Sequence, residues 1–151
     1  MQQTRALYIL VAEDDTHMRL SLDVTLRRAG HETLLMASGD ALLAAIDAMP
    51  GSESQRIDLL VTDINMPGTK GGALIHALDA RGFCLPVVVI TAYGTTALED
   101  AFAKRGAVCF LCKPFRPEAL IGAIEETYSI FAASCMDGDA MKNPERGGES
   151  L

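Results

Sequence analysis

The chain has 151 residues, of which 49% are hydrophobic and 22% are charged, a balance that predicts one folded domain and excludes wholesale disorder. Its 13 basic and 20 acidic residues give a net charge of -7 at pH 7, so non-specific binding to nucleic acid or to an anionic membrane is not expected. The apolar runs are too short to predict a signal peptide or a membrane span, and the expected location is therefore the cytoplasm.

Short apolar runs alternate with helical patterns along the chain. The runs are predicted to be buried strands, at residues 6–12, 31–36, 57–63, 85–91 and 107–112. The helical patterns that follow them cover residues 18–29, 38–49, 71–81, 95–104 and 117–131. Five strand–helix units predict an α/β fold, a parallel sheet with helices on both faces. Residues 1–134 are predicted to form this domain, and residues 135–151 to be a disordered C-terminal tail.

Polar side chains stand where four of the predicted strands end. Glu13 and Asp14 follow the first strand, Asp63 ends the third, Thr91 ends the fourth, and Lys113 follows the fifth. Ligands of open α/β sheets bind outside the carboxyl ends of the strands. We therefore expect these five side chains to converge at one edge of the sheet.

The converging carboxylates favour a bound divalent cation. Two carboxylates about 4 Å apart repel each other by roughly 4 kcal/mol at an effective dielectric constant near 20, and Lys113 alone cannot neutralise three of them. Oxygen ligands of this kind suit Mg²⁺. An aspartate oxygen is also a competent nucleophile toward phosphorus. Asp63, between a metal ion, Lys113 and the Thr91 hydroxyl, therefore fits a phosphoryl acceptor.

Four motifs, in this order and at this spacing, resemble the receiver domains of two-component response regulators. They are ILVAEDD at residues 9–15, VTDINMPG at 61–68, VVVITAYG at 87–94 and GAVCFLCKPF at 106–115. The similarity covers residues 6–131. It implies a doubly wound, flavodoxin-like sheet of five parallel strands in the order 2-1-3-4-5.

The resemblance also implies a phosphoacceptor with its metal ion. Asp63 matches the residue that takes a phosphoryl group from a sensor histidine kinase or a histidine phosphotransfer protein. Asp14 matches a direct Mg²⁺ ligand beside Asp63, and Glu13 matches the acidic neighbour that usually acts through water. Asn65 matches the position whose backbone carbonyl binds the metal.

Three further residues match the positions that bind the phosphoryl group and transmit the signal. Lys113 matches the phosphate-contacting lysine, Thr91 the switch hydroxyl and Phe110 the switch aromatic. Their movement implies a changed protein–protein surface on the fourth helix, fifth strand and fifth helix of the predicted order, where a downstream protein binds. The sequence leaves open whether phosphorylation also leads to a dimer. No enzymatic activity is expected beyond weak self-phosphorylation and self-dephosphorylation.

Other functions compatible with an α/β sheet stay open at this point. The chain could be a receiver-like scaffold that binds partners without phosphorylation, or the receiver part of a longer regulator with an effector domain. A flavodoxin-like FMN protein would need a phosphate-binding loop where this chain has three acidic residues. A phosphatase of the haloacid dehalogenase type would need an aspartate in place of Asn65.

Overall fold

The computed structural model shows five strands and four helices among the residues that it describes. These residues are 5–51, 56–64, 71–83, 85–92 and 108–137. The strands are β1 (Tyr8–Ala12), β2 (Glu32–Met36), β3 (Leu59–Asp63), β4 (Val87–Thr91) and β5 (Val108–Cys112). The helices are α1 (Thr16–Arg28), α2 (Gly39–Ala48), α3 (Gly71–Ala80) and α4 (Pro117–Asp137). The predicted helix at residues 95–104 lies outside the described residues.

All strand pairs in the sheet are parallel, and the strand order is β2-β1-β3-β4-β5. This confirms the predicted fold class and order. Every residue of β3 and β4 is buried, which explains why these strands have continuous apolar runs rather than an alternating pattern. Because β1 and β3 are neighbours, residues that follow or end these two strands meet at the same edge of the sheet.

Two hydrophobic clusters lie on opposite faces of the sheet. One contains buried residues of α2 and α3, namely Leu42, Ile46, Leu74, Ile75 and Leu78. The other contains buried residues of α1 and α4, namely Leu22, Leu26, Leu120, Ala123 and Ile124. Successive residues of β1 contribute to alternate clusters, Ile9 to the second and Leu10 to the first, as the pleat of a strand requires.

Short polar side chains begin the first two helices. The Asp15 carboxylate accepts a hydrogen bond from the backbone N–H of Met18 at 2.7 Å, so Asp15 is the N-cap of α1. The Ser38 hydroxyl accepts a hydrogen bond from the backbone N–H of Ala41 at 3.0 Å and caps α2. The cap at Asp15 fixes where α1 starts relative to the two acidic residues that precede it.

Helix α4 continues to Asp137, past the predicted domain boundary at residue 134. The remainder of the predicted tail, residues 138–151, lies outside the described residues. Among the helices that the structure describes, none combines the length and the apolar character needed to cross a bilayer.

Candidate functional site

Three carboxylates meet at the carboxyl edge of the sheet. Glu13 and Asp14 follow β1, and Asp63 ends the neighbouring β3. One carboxylate oxygen from each residue lies within 4.8 Å of the other two. Glu13 and Asp63 are buried, whereas Asp14 is exposed. The acidic cluster expected from the strand ends is therefore present, and it opens to solvent on the side of Asp14.

Lys113 contacts two of these carboxylates. Its Nζ donates a hydrogen bond to Oδ2 of Asp63 at 3.1 Å and lies 3.7 Å from Oε1 of Glu13. Burial lowers the pKa of Lys113, but the hydrogen bond to Asp63 and the charges of both carboxylates outweigh burial and raise this pKa above its usual value. Lys113 is thus a fixed positive charge at neutral pH.

The backbone positions Lys113 at the same edge as the carboxylates. Its N–H donates to the carbonyl oxygen of Thr91 at 2.8 Å, which joins the end of β5 to the end of β4. The peptide bond from Lys113 to Pro114 is cis. The lysine predicted from the fifth strand end therefore reaches the acidic cluster.

Glu13 holds its carboxylate away from water. Oε2 accepts a hydrogen bond from the backbone N–H of Asp15 at 3.1 Å, whereas buried Oε1 has no hydrogen-bond partner among the described residues. The pKa of Glu13 is raised from 4.5 to about 7, chiefly by burial and also by the charge of Asp63, which together outweigh the Asp15 hydrogen bond and the charge of Lys113. A buried oxygen without a hydrogen bond is costly, and a water bound to a hard cation would satisfy it.

Replacing Glu13 with Gln is expected to raise the free energy of unfolding at pH 8 by about 2 kcal/mol in metal-free buffer. The folded-state pKa of about 7 exceeds the ordinary value of 4.5, so the folded protein holds the ionised carboxylate at a cost. This cost grows as the pH rises from 4.5 to 7 and is absent below that range. Urea unfolding of the wild type and of Glu13→Gln, at pH 8 and at pH 4 in EDTA, measures this difference in the free energy of unfolding.

The matched control is Asp14→Asn, which removes the same charge from an exposed carboxylate of the same cluster. We expect a smaller gain in unfolding free energy for this variant. Equal gains in both variants, or a gain in Glu13→Gln that does not change with pH, would show that burial is not what opposes the charge on Glu13.

The two predicted switch residues lie on the neighbouring strands. Thr91 ends β4 and is 3% exposed, one residue beyond Ile90, which pairs with Asp63 across the sheet. Phe110 is the central residue of β5, is partly buried, and packs against the hydrophobic cluster of α2 and α3. Asn65, the predicted carbonyl ligand, lies outside the described residues.

Arg19 was not predicted as part of the site. Its Nη1 donates to the backbone carbonyl oxygen of Glu13 at 2.8 Å and lies 3.4 Å from that of Asp14. The sequence signal is an arginine in the first turn of a helix that begins directly after an acidic cluster. This signal is weak, because most arginines at such positions point into solvent.

The donor set of the site fits Mg²⁺. The described residues bring together three carboxylates, and one of their oxygens is buried without a hydrogen bond. Mg²⁺ prefers carboxylate, carbonyl and water oxygens and keeps several waters when bound, which the exposed side at Asp14 allows.

A comparison with protein families shows to which family the chain belongs. The family described as "Response regulator receiver domain" matches residues 9–125. The chain belongs to the response regulator receiver family. The resemblance found in the four sequence motifs is thereby confirmed. Receiver domains of this family bind Mg²⁺ at an acidic pocket, and Glu13, Asp14 and Asp63 form an acidic cluster in this chain.

Curated relatives of this receiver domain are bacterial response regulators. It is 34% identical over 119 residues to the response regulator protein FleR of Pseudomonas aeruginosa, covering 79% of this chain and 24% of FleR. It is 36% identical over 118 residues to the transcriptional regulatory protein FixJ of Bradyrhizobium diazoefficiens, covering 78% of this chain and 55% of FixJ. The receiver thus spans a quarter to about half of the length of these two relatives.

Solved structures of receivers share the fold. The chemotaxis protein CheY4 of Vibrio cholerae superposes with a TM-score of 0.71 at 25% identity, covering 82% of this chain and 99% of CheY4. The structure described as FixJ-N gives a TM-score of 0.69 at 28% identity, covering 83% of this chain and 96% of that chain. These matches confirm the flavodoxin-like order of strands.

Proposed function

We propose that this receiver accepts a phosphoryl group on Asp63 from a phosphohistidine and thereby switches a protein-binding surface. The donor is a sensor histidine kinase or a histidine phosphotransfer protein. The observation that carries the proposal is the contact of 3.1 Å between Nζ of Lys113 and Oδ2 of Asp63, beside two further carboxylates. A nucleophilic carboxylate next to a fixed cation is what phosphoryl transfer requires.

Asp14 and Asp63 would hold Mg²⁺ directly, Glu13 through water, and Asn65 by its backbone carbonyl. The bound ion supplies positive charge to the phosphoryl oxygens and offsets the repulsion among the carboxylates. The buried Oε1 of Glu13, which has no hydrogen-bond partner in the described part of the chain, supports this assignment.

In the transfer, an oxygen of Asp63 forms a bond to phosphorus while the phosphorus–nitrogen bond of the donor breaks. The electron pair of the broken bond stays on the imidazole nitrogen of the donor. Lys113, whose raised pKa keeps it protonated, binds a phosphoryl oxygen and offsets the charge that develops there. The Thr91 hydroxyl, at the end of the adjacent strand, binds another phosphoryl oxygen.

The signal leaves the site through β5 and α4. When Thr91 moves toward the phosphoryl group, Phe110, which is partly buried and packs against the hydrophobic cluster of α2 and α3, turns inward. The surface of β5, α4 and residues 95–104 then changes, and a downstream protein binds there. The domain turns over no separate substrate and only hydrolyses its own acyl phosphate slowly. We place this signalling in the cytoplasm.

A second candidate is that this receiver controls an effector domain in a longer protein. The coverage of only 24% of FleR and 55% of FixJ favours it. Both candidates use the same phosphorylated site and differ in whether the changed surface binds another protein or a domain of the same chain.

Intact mass of the wild-type protein after incubation with acetyl phosphate tests the proposal. We expect one phosphoryl adduct in the presence of Mg²⁺, none in EDTA, and loss of the adduct in hydroxylamine, which cleaves acyl phosphates. An unchanged mass with Mg²⁺ would favour a scaffold that works without phosphorylation and would overturn the proposal.

A further inference from the structure

We propose that Arg19 is a positioning residue for the cation site, an inference that rests on the proposed function. Arg19 is half-buried in the first turn of α1. Its Nη1 donates to the carbonyl oxygen of Glu13 at 2.8 Å and lies 3.4 Å from that of Asp14. One side chain thus holds the backbone of two of the three residues that supply carboxylates.

The contacts of Arg19 complete a set of hydrogen bonds across the junction between β1 and α1. The backbone N–H of Arg19 donates to the carbonyl oxygen of Asp15 at 2.8 Å. The N–H of Asp15 donates to Oε2 of Glu13 at 3.1 Å, and its carboxylate accepts from the N–H of Met18 at 2.7 Å. Glu13 is thereby held through both its side chain and its carbonyl oxygen.

Asp14 depends most on this arrangement. Its side chain is exposed, so surrounding packing does little to fix the carboxylate. Its position relative to buried Asp63 is set chiefly by its backbone, whose carbonyl oxygen faces the Arg19 guanidinium. Arg19 therefore acts on the cation through the geometry of Asp14 and Glu13 and not as a ligand.

The two possible roles of the Arg19 guanidinium, as a positive charge and as a positioning group, predict opposite changes in Mg²⁺ affinity when it is removed. Arg19 places a positive charge beside a cation site, so by Coulomb's law alone Mg²⁺ would bind more tightly without it. If the guanidinium instead holds the junction in place, its loss lets the carboxylates of Glu13 and Asp14 spread apart. Loss of a residue that orients metal ligands usually weakens metal binding by 10- to 100-fold, so we expect a weakening of about tenfold.

The test is a titration with MgCl₂ followed by ¹H–¹⁵N NMR on the full chain. Arg19→Gln is expected to weaken Mg²⁺ binding about tenfold. Arg19→Lys keeps the charge and one donor group and should restore part of the affinity. Arg27→Gln is the matched control, since Arg27 lies on the same helix and its Nε bonds Asp23 at 2.8 Å, away from the junction. This control should bind Mg²⁺ as the wild type does.

A second measurement distinguishes a positioning role of Arg19 from damage to the acceptor Asp63. The labelling defect of Arg19→Gln with acetyl phosphate should be largest at limiting Mg²⁺ and should shrink as Mg²⁺ is raised to saturation, because Asp63 and Lys113 are unchanged. A labelling defect of the same size at limiting and at saturating Mg²⁺ would overturn the inference. If Arg19→Gln fails to fold, Arg19→Lys carries both tests.

Mg²⁺ binding by Arg19→Gln that equals or exceeds that of the wild type would also overturn the inference. An equal loss of Mg²⁺ affinity in Arg27→Gln would overturn it too, since the loss of any positive charge from α1 would then explain the weaker binding. A wild-type protein that binds no Mg²⁺ would instead overturn the proposed function. The two failures are therefore distinguishable.

Discussion

The Asp63→Asn variant is expected to take up no phosphoryl group from acetyl phosphate and Mg²⁺, under conditions in which the wild type gains one. An amide is a far weaker nucleophile than a carboxylate, and it also brings one negative charge fewer to the cation site. The amide has nearly the same shape, and its oxygen can still accept the hydrogen bond that Lys113 Nζ donates at 3.1 Å. The fold should therefore be retained. Intact mass measures the uptake, and far-UV circular dichroism checks the fold.

The control for this prediction is Asp47→Asn, which makes the same substitution on α2. Asp47 forms an ion pair with Arg81 at 2.8 Å, outside the acidic cluster. This variant should be labelled as fast as the wild type. Hydroxylamine-sensitive labelling of Asp63→Asn would show that another carboxylate is the acceptor.

Lys113→Ala is expected to slow phosphoryl uptake by about 10²-fold, the usual cost of removing one group that stabilises charge in a transition state. The described structure brings Nζ of Lys113 within 4 Å of carboxylate oxygens on both Glu13 and Asp63. Without the ammonium, the entering phosphoryl oxygens meet these carboxylates with less positive charge to offset them. The initial rate of adduct formation by intact mass, at saturating Mg²⁺, measures the effect.

The adduct that does form in Lys113→Ala should change the surface of β5 and α4 less than it does in the wild type, because in the proposed mechanism the lysine joins the phosphoryl group to the end of β5. Amide chemical shifts of these two elements, before and after labelling, report this change. Arg116→Ala is the matched control, since it removes an exposed positive charge from the same loop. A wild-type rate in Lys113→Ala, or an equal loss of rate in both variants, would contradict the role of Lys113.

The sheet could be predicted from the sequence because its central strands are buried on both faces. Such strands require continuous apolar runs, and β3 begins with the apolar run LLV and β4 with VVVI. Once the strands are parallel, the residues at their carboxyl ends must share one edge. The convergence of Glu13, Asp14, Asp63 and Lys113 follows from this geometry, without knowledge of any side-chain contact.

The differences between neighbouring acidic residues could not be predicted in the same way. Glu13 and Asp14 are adjacent and chemically alike, yet Glu13 is 0% exposed and Asp14 lies in solvent. Which of the two is buried depends on how the chain turns from β1 into α1. The contact of Arg19 with backbone carbonyl oxygens depends on the same turn. Sequence patterns give the period of a helix, but they do not show where a long side chain on it ends.

The hydrogen bond between Lys113 and Asp63 joins residues 50 positions apart. A nascent chain on the ribosome that has emerged only as far as β3 already carries Asp63, but it lacks Lys113 until β5 has been translated and added to the sheet. Under the proposed function, incomplete copies are therefore expected to accept phosphoryl groups poorly. The ability to be phosphorylated would then arise only when the fold is complete.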